Sequence, residues 1–464
     1  MNLRPAFALL LMCHELHAQN TQRLDAVARA MGGKERLLSV RTLRLEGNGE
    51  LLYFGQTYTP FSNTSFTVTR WRRSYDFANR RWQQEQLREA RYLTPVPPPQ
   101  RIRTGLDGTV GYNIVGDGPM STVPANTSSS REDEFIYHPI GFMQAAYRAG
   151  AAMTVDASSD TSRIRLTVGD RAYIMHVDAR TALPVRIGRL VDDPMLGDVE
   201  LETHFLEWRE MAGLTLPSRL VQRKARWTLA EYRITHAQTN VVLADLTAAD
   251  SVRAVATAAT SPPRFTVVVD SVAPGVWILD SGLYHTIAVE QSDRIVLIEA
   301  PESDGRTLAA IAKARERWPG KQLGPVVNSH HHFDHAGGLR AAISQGLPII
   351  THAANTEFFE EFVYPRRHTI NPDALERTPK ALSITSVRGK LVVEDAMRSV
   401  ELYEATGAVH SGSALLVYVP AARVLIQGDL EMRELVDNVR RLGLDVDVLL
   451  GLHDRPAPWP KNPS

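Results

Sequence analysis

The chain has 464 residues, with 52 basic and 52 acidic side chains and 44% apolar residues. That length suits two or three domains and is ample to bury a core. Balanced charge argues against a dedicated nucleic-acid binder, which would usually carry a basic excess or a basic face, and leaves room for a local basic patch.

Residues 1–18 read as a secretory signal peptide: Arg4 precedes an apolar run from Pro5 to Cys13, and Ala18 is a cleavage point after small and polar residues. The apolar run is too short for a bilayer anchor, and no other run approaches about 18 residues, so no transmembrane helix is expected. Export to the periplasm or the cell exterior follows. Leu10-Leu11-Met12-Cys13 loosely resembles a lipobox, which would make the protein an outer-membrane lipoprotein; bulky Met12 stands where such boxes want a small residue. Cys13 is the only cysteine, so loss of the leader leaves no disulfide and no thiolate ligand. Any metal site must then use histidine and carboxylate.

Residues 19–245 form the first predicted domain. A short amphipathic helix starts near Thr21, with Leu24, Val27, Ala28 and Met31 on one face and Gly32-Gly33 ending it. Alternating strands follow, among them Leu43/Leu45, Ile164/Leu166/Val168 and Tyr173/Met175/Val177. Gly47-Asn48-Gly49, Asp107-Gly108 and Gly116-Asp117-Gly118 read as hairpin turns, residues 95–100 as a stiff loop and residues 125–131 as a polar loop. Such strands make an antiparallel sheet with one apolar face. His138, His176, His204 and His236 are scattered singly and read as structural or solvated. This layout, with the opening LDAVARAMGGKERLLSVRTLRLEG, resembles lipoprotein-carrier (LolA/LolB-like) half-barrels. The resemblance implies a concave apolar face able to hold an acyl chain or a lipoprotein segment.

Residues 246–263 are rich in small residues and end in two prolines, which suits a linker with at most a weak helical turn. Residues 264–464 then alternate apolar strands with helices. VVVDSVAPGVWILD, GLYHTIAVEQ and DRIVLIEAP read as strands, residues 306–318 as a helix, and LGPVVNS as a buried strand running into Ser329-His330-His331-His332-Phe333-Asp334-His335. Those seven residues hold four of the fifteen histidines. They fall at the C-terminal edge of a sheet, where α/β folds carry their chemistry. His330 and His332 share a side of the extended chain and His331 points elsewhere, as a spacer facing solvent or sheet. Asp334 and His335 follow at the turn. Three later strand ends each present one more donor: His410 before an apolar strand, Asp429 in Gly428-Asp429, and His453. Neutral imidazole and carboxylate suit zinc or similar divalent metals. His352 reads as structural, and Asp454 as solvated or supporting a histidine.

The series His330-x-His332-x-Asp334-His335, His410, Asp429, His453 is similar to that of the metallo-β-lactamase fold hydrolases, over roughly residues 264–464. The resemblance implies an α+β protein whose C-terminal domain is an αββα sandwich with the site at one edge, preceded by the antiparallel β domain and its short helix. It implies a first metal on His330, His332 and His410, a second on Asp334, His335 and His453, and Asp429 bridging them. Two zinc ions are expected, with iron or manganese as other occupants. A metal-bound hydroxide would attack the carbonyl of an ester, lactone, lactam or thioester in a small-molecule substrate, and Asp334 would be the catalytic group that orients it and shuttles the proton. Residues 353–385 are a candidate lid, in which Arg366 and Arg367 are candidate substrate-binding residues or simply a solvated basic loop. Two other readings are a persulfide dioxygenase of related fold with one iron, and a lipid- or lipoprotein-binding protein whose second domain is a scaffold.

Overall fold

The computed structural model describes residues 20–62, 65–91, 97–150, 153–157, 161–258 and 265–460. The leader, Cys13 and the last part of the expected linker lie outside the described residues. The chain divides into two compact units: Met1–Leu52, Ser65–Val191 and Val199–Ser261 form one, and Tyr53–Thr64, Asp192–Asp198 and Pro262–Ser464 the other. Two short segments assigned from sequence to the first domain therefore belong by their contacts to the second.

The first unit is built on one thirteen-stranded sheet. Its first long strand, Thr42–Leu52, pairs antiparallel with Ser65–Asp76 on one side and with the last strand, Trp227–Thr239, on the other. Two antiparallel meanders are thereby joined into one sheet. Alternation sets the buried face, as in Arg171–Asp178, where Tyr173, Met175 and Val177 are buried. Residues 20–30 are helical and bury Leu24, Val27 and Ala28, and Met31 is buried in the turn that follows. Together with the helix Pro139–Ala149, which buries Ile140, Phe142 and Met143, they pack into the same apolar cluster as the sheet. The apolar face is thus largely filled by the chain's own helices. A cavity of about 580 Å³ remains, lined in part by Phe77, Phe135, Ile136, Ala145 and Val168, with Arg80 also in its wall.

Three local expectations for this unit are corrected. Gly47 and Gly49 make no turn; they lie inside the first strand, where a Cβ would come 1.9 Å from the Arg233 carbonyl oxygen and 2.0 Å from that of Glu231. Ala125–Arg131 is a helix rather than a loop, because Arg131 donates to the carbonyls of Gly105 and Tyr112 and the buried Ser128 hydroxyl accepts from Gly111 N. Residues 246–258 pack rather than link: Asp250–Ala258 is helical, and Ala248 and Val252 are buried with Tyr112 and Ile114.

The second unit holds a seven-stranded and a six-stranded sheet. Alternate residues of both, among them Ile278, Ile287, Val296 and Ile298 from one and Leu402, Val417, Ile426 and Leu450 from the other, share one core, so the sheets pack face to face. The helix Asp304–Arg317 packs on the first sheet, burying Ala310, Ile311 and Ala314. Met432–Leu442 packs on the second through Leu435 and Val439. The result is the expected αββα order. VVVDSVAPGVWILD is two strands, Val268–Ala273 and Val276–Asp280, turning at Gly275. Residues 353–385 are packed: Phe358, Phe359 and Val363 are buried, and Arg340 donates to Asp373 and to the carbonyls of Val363 and Tyr364. Asp198 accepts from Thr369 N at 2.8 Å and holds this region on its other side. No helix among the described residues is long and apolar enough to cross a membrane.

Candidate metal centre

The strand Gln322–Val327 lies between two parallel neighbours, Arg294–Ile298 and Ile349–His352. Its end is held by buried polar groups. Asn328 Nδ2 donates to the His330 carbonyl at 2.6 Å, and Glu299 Oε1 accepts from Ser329 N at 2.7 Å. His332 then begins the short helix Phe333–Ala336, which carries Asp334 and His335. His410 sits in the loop before Leu415–Val419, and Glu434 steadies that loop by accepting from Val409 N at 2.8 Å. Asp429 follows the strand Val424–Gln427, and His453 follows Val448–Gly451. Between strand and carboxylate, Gly428 leaves room for the ligand loop: a Cβ there would lie 2.8 Å from Ser329 Oγ and 3.0 Å from His330 Nδ1, so those side chains would have to shift.

The seven side chains named from sequence meet in two groups. The donor atoms of His330, His332, His410 and Asp429 all lie within 4.8 Å of one another, as do those of Asp334, His335, Asp429 and His453. Asp429 belongs to both. Its Oδ2 lies 3.1 Å from His410 Nε2 and 3.3 Å from His335 Nε2, and its Oδ1 lies 3.2 Å from His453 Nε2. Asp334 Oδ2 stands 3.8 Å from both His335 Nε2 and His453 Nε2.

Burial, reinforced by His335 and His332, holds His330 well below the usual imidazole range, and burial with His410 pushes His332 down to about 4. Burial opposes charge on His335 too, but the Asp429 and Glu299 carboxylates win and raise it to about 10. The carboxyl of Asp429 is held far below the carboxylate range: burial opposes this, and bonds from His335, His410 and His453 outweigh it. His330 and His332 are thus neutral and Asp429 is ionised, as a divalent cation needs, while His335 carries a proton that a bound cation would displace. A buried polar atom asks for a partner. His330 Nε2 is buried with no hydrogen-bond partner, while its Nδ1 lies 2.9 Å from Ser329 Oγ. The donor set therefore fits a metal ion.

Arg366 and Arg367 are not part of this cluster. The Arg367 guanidinium pairs with Glu376, with Nε 2.8 Å from Oε1, and the Arg366 guanidinium lies 5.6 Å from the Phe362 ring centroid. His331 faces neither solvent nor a metal group; it is buried, with Nδ1 3.1 Å from Ser413 Oγ. His352 is structural, accepting from Ala354 N and lying 3.1 Å from Glu404. Asp454 is exposed.

Sequence reasoning missed four supports. Glu299 and Asn328 anchor the loop, Gln56 Nε2 donates to Asp334 Oδ1 at 2.7 Å, and the Thr57 carbonyl accepts from His332 Nε2 at 2.8 Å. A glutamate ending the apolar run of DRIVLIEAP was the one visible signal, for Glu299; nothing near Gln56 or Thr57 announced them.

A face-to-face sheet sandwich with paired histidine–carboxylate groups at its strand ends defines a class of metal-binding proteins. Residues 282–459 match the family model of the metallo-beta-lactamase superfamily, whose members are generally hydrolases, and this stretch is a domain of that superfamily. Among solved structures, a metallo-beta-lactamase from Pontibacter korlensis is similar at 16% identity, covering 42% of this chain and 94% of its own, with a TM-score of 0.33. One from Hirschia baltica is 17% identical, covering 41% of this chain and 92% of its own, with a TM-score of 0.33. One from Erythrobacter litoralis is 18% identical, covering 41% of this chain and 91% of its own, with a TM-score of 0.32. No curated protein matches the chain.

Proposed function

We propose that the second unit is a two-metal hydrolase acting on the carbonyl of an ester, lactone, lactam or thioester in a small-molecule substrate, and that the protein is exported. The observation carrying this reading is the pair of donor groups joined at Asp429. His330, His332, His410 and Asp429 would hold one cation, and Asp334, His335, Asp429 and His453 the other. Imidazole and carboxylate favour zinc, with iron or manganese as other occupants. Two divalent cations supply Lewis acidity toward a substrate oxygen and lower the pKa of water toward neutrality. Burial keeps His330 and His332 neutral, and the chain's own residues aim the donors. Asp429 turns one oxygen toward His410 and His335 and the other toward His453. Asp334 has Oδ1 held by Gln56, which leaves Oδ2 to take a proton from water and return it to the leaving group.

A one-iron persulfide dioxygenase needs a single donor group, and the second group favours the hydrolase. Elemental analysis of the purified protein, followed by a panel of lactam, ester, lactone, thioester and phosphodiester substrates, tests the reading. Two equivalents of metal per chain and turnover of a carbonyl substrate are expected. One iron per chain with oxygen uptake on a persulfide would replace the hydrolase with the dioxygenase.

An acyl chain on the first unit is a second proposal, favoured by the cavity beside Phe77, Phe135 and Ile136. A fluorescent fatty acid should bind there, and Ala145→Trp should block it. Equal binding by the variant would remove the cavity from consideration.

A further inference from the structure

We propose that residues 53–62 are a strap that positions both donor groups, Thr57 acting through His332 and Gln56 through Asp334; this rests on the metal reading above. The segment joins the strands Thr42–Leu52 and Ser65–Asp76, yet its contacts belong to the second unit. A carbonyl oxygen can only accept. The 2.8 Å bond from His332 Nε2 to the Thr57 carbonyl therefore puts the ring hydrogen on Nε2. In the neutral ring the lone pair is then on Nδ1, which lies 2.9 Å from His410 Nε2 and so inside the first donor group. Thr57 is itself fixed: it is buried, and its hydroxyl donates to the Thr59 carbonyl at 2.7 Å.

Gln56 does the corresponding work on the second group. Its carboxamide donates to Asp334 Oδ1 at 2.7 Å, leaving Oδ2 toward His335 and His453. An amide cannot ionise, so this orientation does not change with pH across the neutral range. The rest of the strap is tied to the same two ligand loops. Gly55 O accepts from Phe333 N at 3.3 Å, and Tyr58 O accepts from Gly412 N, two residues past His410, at 2.8 Å. Phe61 anchors the far end, its ring edge-on to Phe358 at 5.9 Å and to Phe362 at 5.7 Å between centroids. Partners that orient metal ligands typically contribute about 10–100-fold in metal affinity. Gln56 and Thr57 are positioning residues of this kind, supplied some 275 positions upstream of the ligands they hold.

The test is zinc titration of the full-length protein against a chromophoric chelator, with the visible spectrum of the Co2+-loaded protein as a second readout. Gln56→Met keeps the length of the side chain and removes the donor. It should weaken the second zinc equivalent about 10–100-fold, shift the cobalt bands, and leave the melting temperature of the zinc-free protein unchanged. Replacing residues 54–61 with a short Gly-Asn turn should weaken both equivalents, because His332 loses its acceptor as well. Zinc affinities within about twofold of the native protein's and unshifted cobalt bands in Gln56→Met would overturn the strap, even where the shortened chain fails to fold. A native protein that takes up no zinc would overturn the metal reading itself.

Discussion

Asp429 Oδ1 lies 3.2 Å from His453 Nε2, and its Oδ2 lies 3.1 Å from His410 Nε2, so one carboxylate faces both donor groups at once. Asp429→Asn keeps the shape and removes the charge. An amide offers one oxygen where the site uses two. We expect metal content to fall below two equivalents and turnover to drop at least about a hundredfold, on the order of 3 kcal/mol in barrier. Elemental analysis and steady-state kinetics on the same preparation check this. Full metal content with unchanged kcat/KM would remove Asp429 from the shared position.

His410 and His453 belong to different groups, which makes them separable. The side chains of both are about one-third exposed (32% each), so neither replacement should disturb the core. His410→Ala should lower occupancy of the first group and His453→Ala that of the second, each leaving about one equivalent bound with an unchanged melting temperature for the metal-free protein. Loss of both equivalents from either single variant would mean the two groups fill as one unit.

Much of the second unit was legible because its signals are local. A buried strand ending in His330-x-His332-x-Asp334-His335 needs only the period of a strand to bring two imidazoles to one side, and His410, Asp429 and His453 each mark a strand end of their own. Gln56 and Thr57 were illegible for the opposite reason. Their role depends on contacts with residues some 275 positions further along the chain, and no periodicity encodes that. Ala125–Arg131 failed differently: three serines and an asparagine compete poorly for a helix in isolation, and bonds joining Arg131, Ser128 and Ser129 to neighbouring strands stabilise one. Gly47 and Gly49 carry a turn composition inside a strand because the adjacent strand passes too close for any Cβ.

The segment taken from composition as a linker gives a sharp stability test. Val252 is buried against Tyr112 and Ile114, while Val255, one turn on, is 54% exposed. Val252→Asp buries an unpaired carboxylate and should destabilise the first unit by about 2–4 kcal/mol. Val255→Asp, on the open side of the same helix, should change stability by less than about 0.5 kcal/mol. Urea unfolding of both variants decides it. Equal, small effects would restore residues 246–258 to the status of a linker.

His138 sits fully buried at the N-terminus of the helix Pro139–Ala149, where its Nδ1 accepts from Ile140 N at 3.3 Å. Burial, and then the nearby Arg73 guanidinium, push its pKa down to about 3. In the unfolded chain the same imidazole titrates near 6.5. Below that value the unfolded state takes up a proton that the folded state refuses until the pH nears 3. The stability tied to this neutral histidine is therefore complete above pH 6.5 and is lost as the pH falls, at about 1.4 kcal/mol per unit for a single site. His138→Asn substitutes an N-terminal cap that does not titrate, at a lower starting stability because the smaller side chain leaves a gap. Between pH 6.5 and 4.5 the native first unit should lose about 2–3 kcal/mol more than the variant, read as the difference in urea midpoints measured in parallel. Other acid-sensitive groups act alike in both proteins and cancel in that difference. Parallel pH profiles for the two would show that His138 takes up its proton without unfolding the helix it begins.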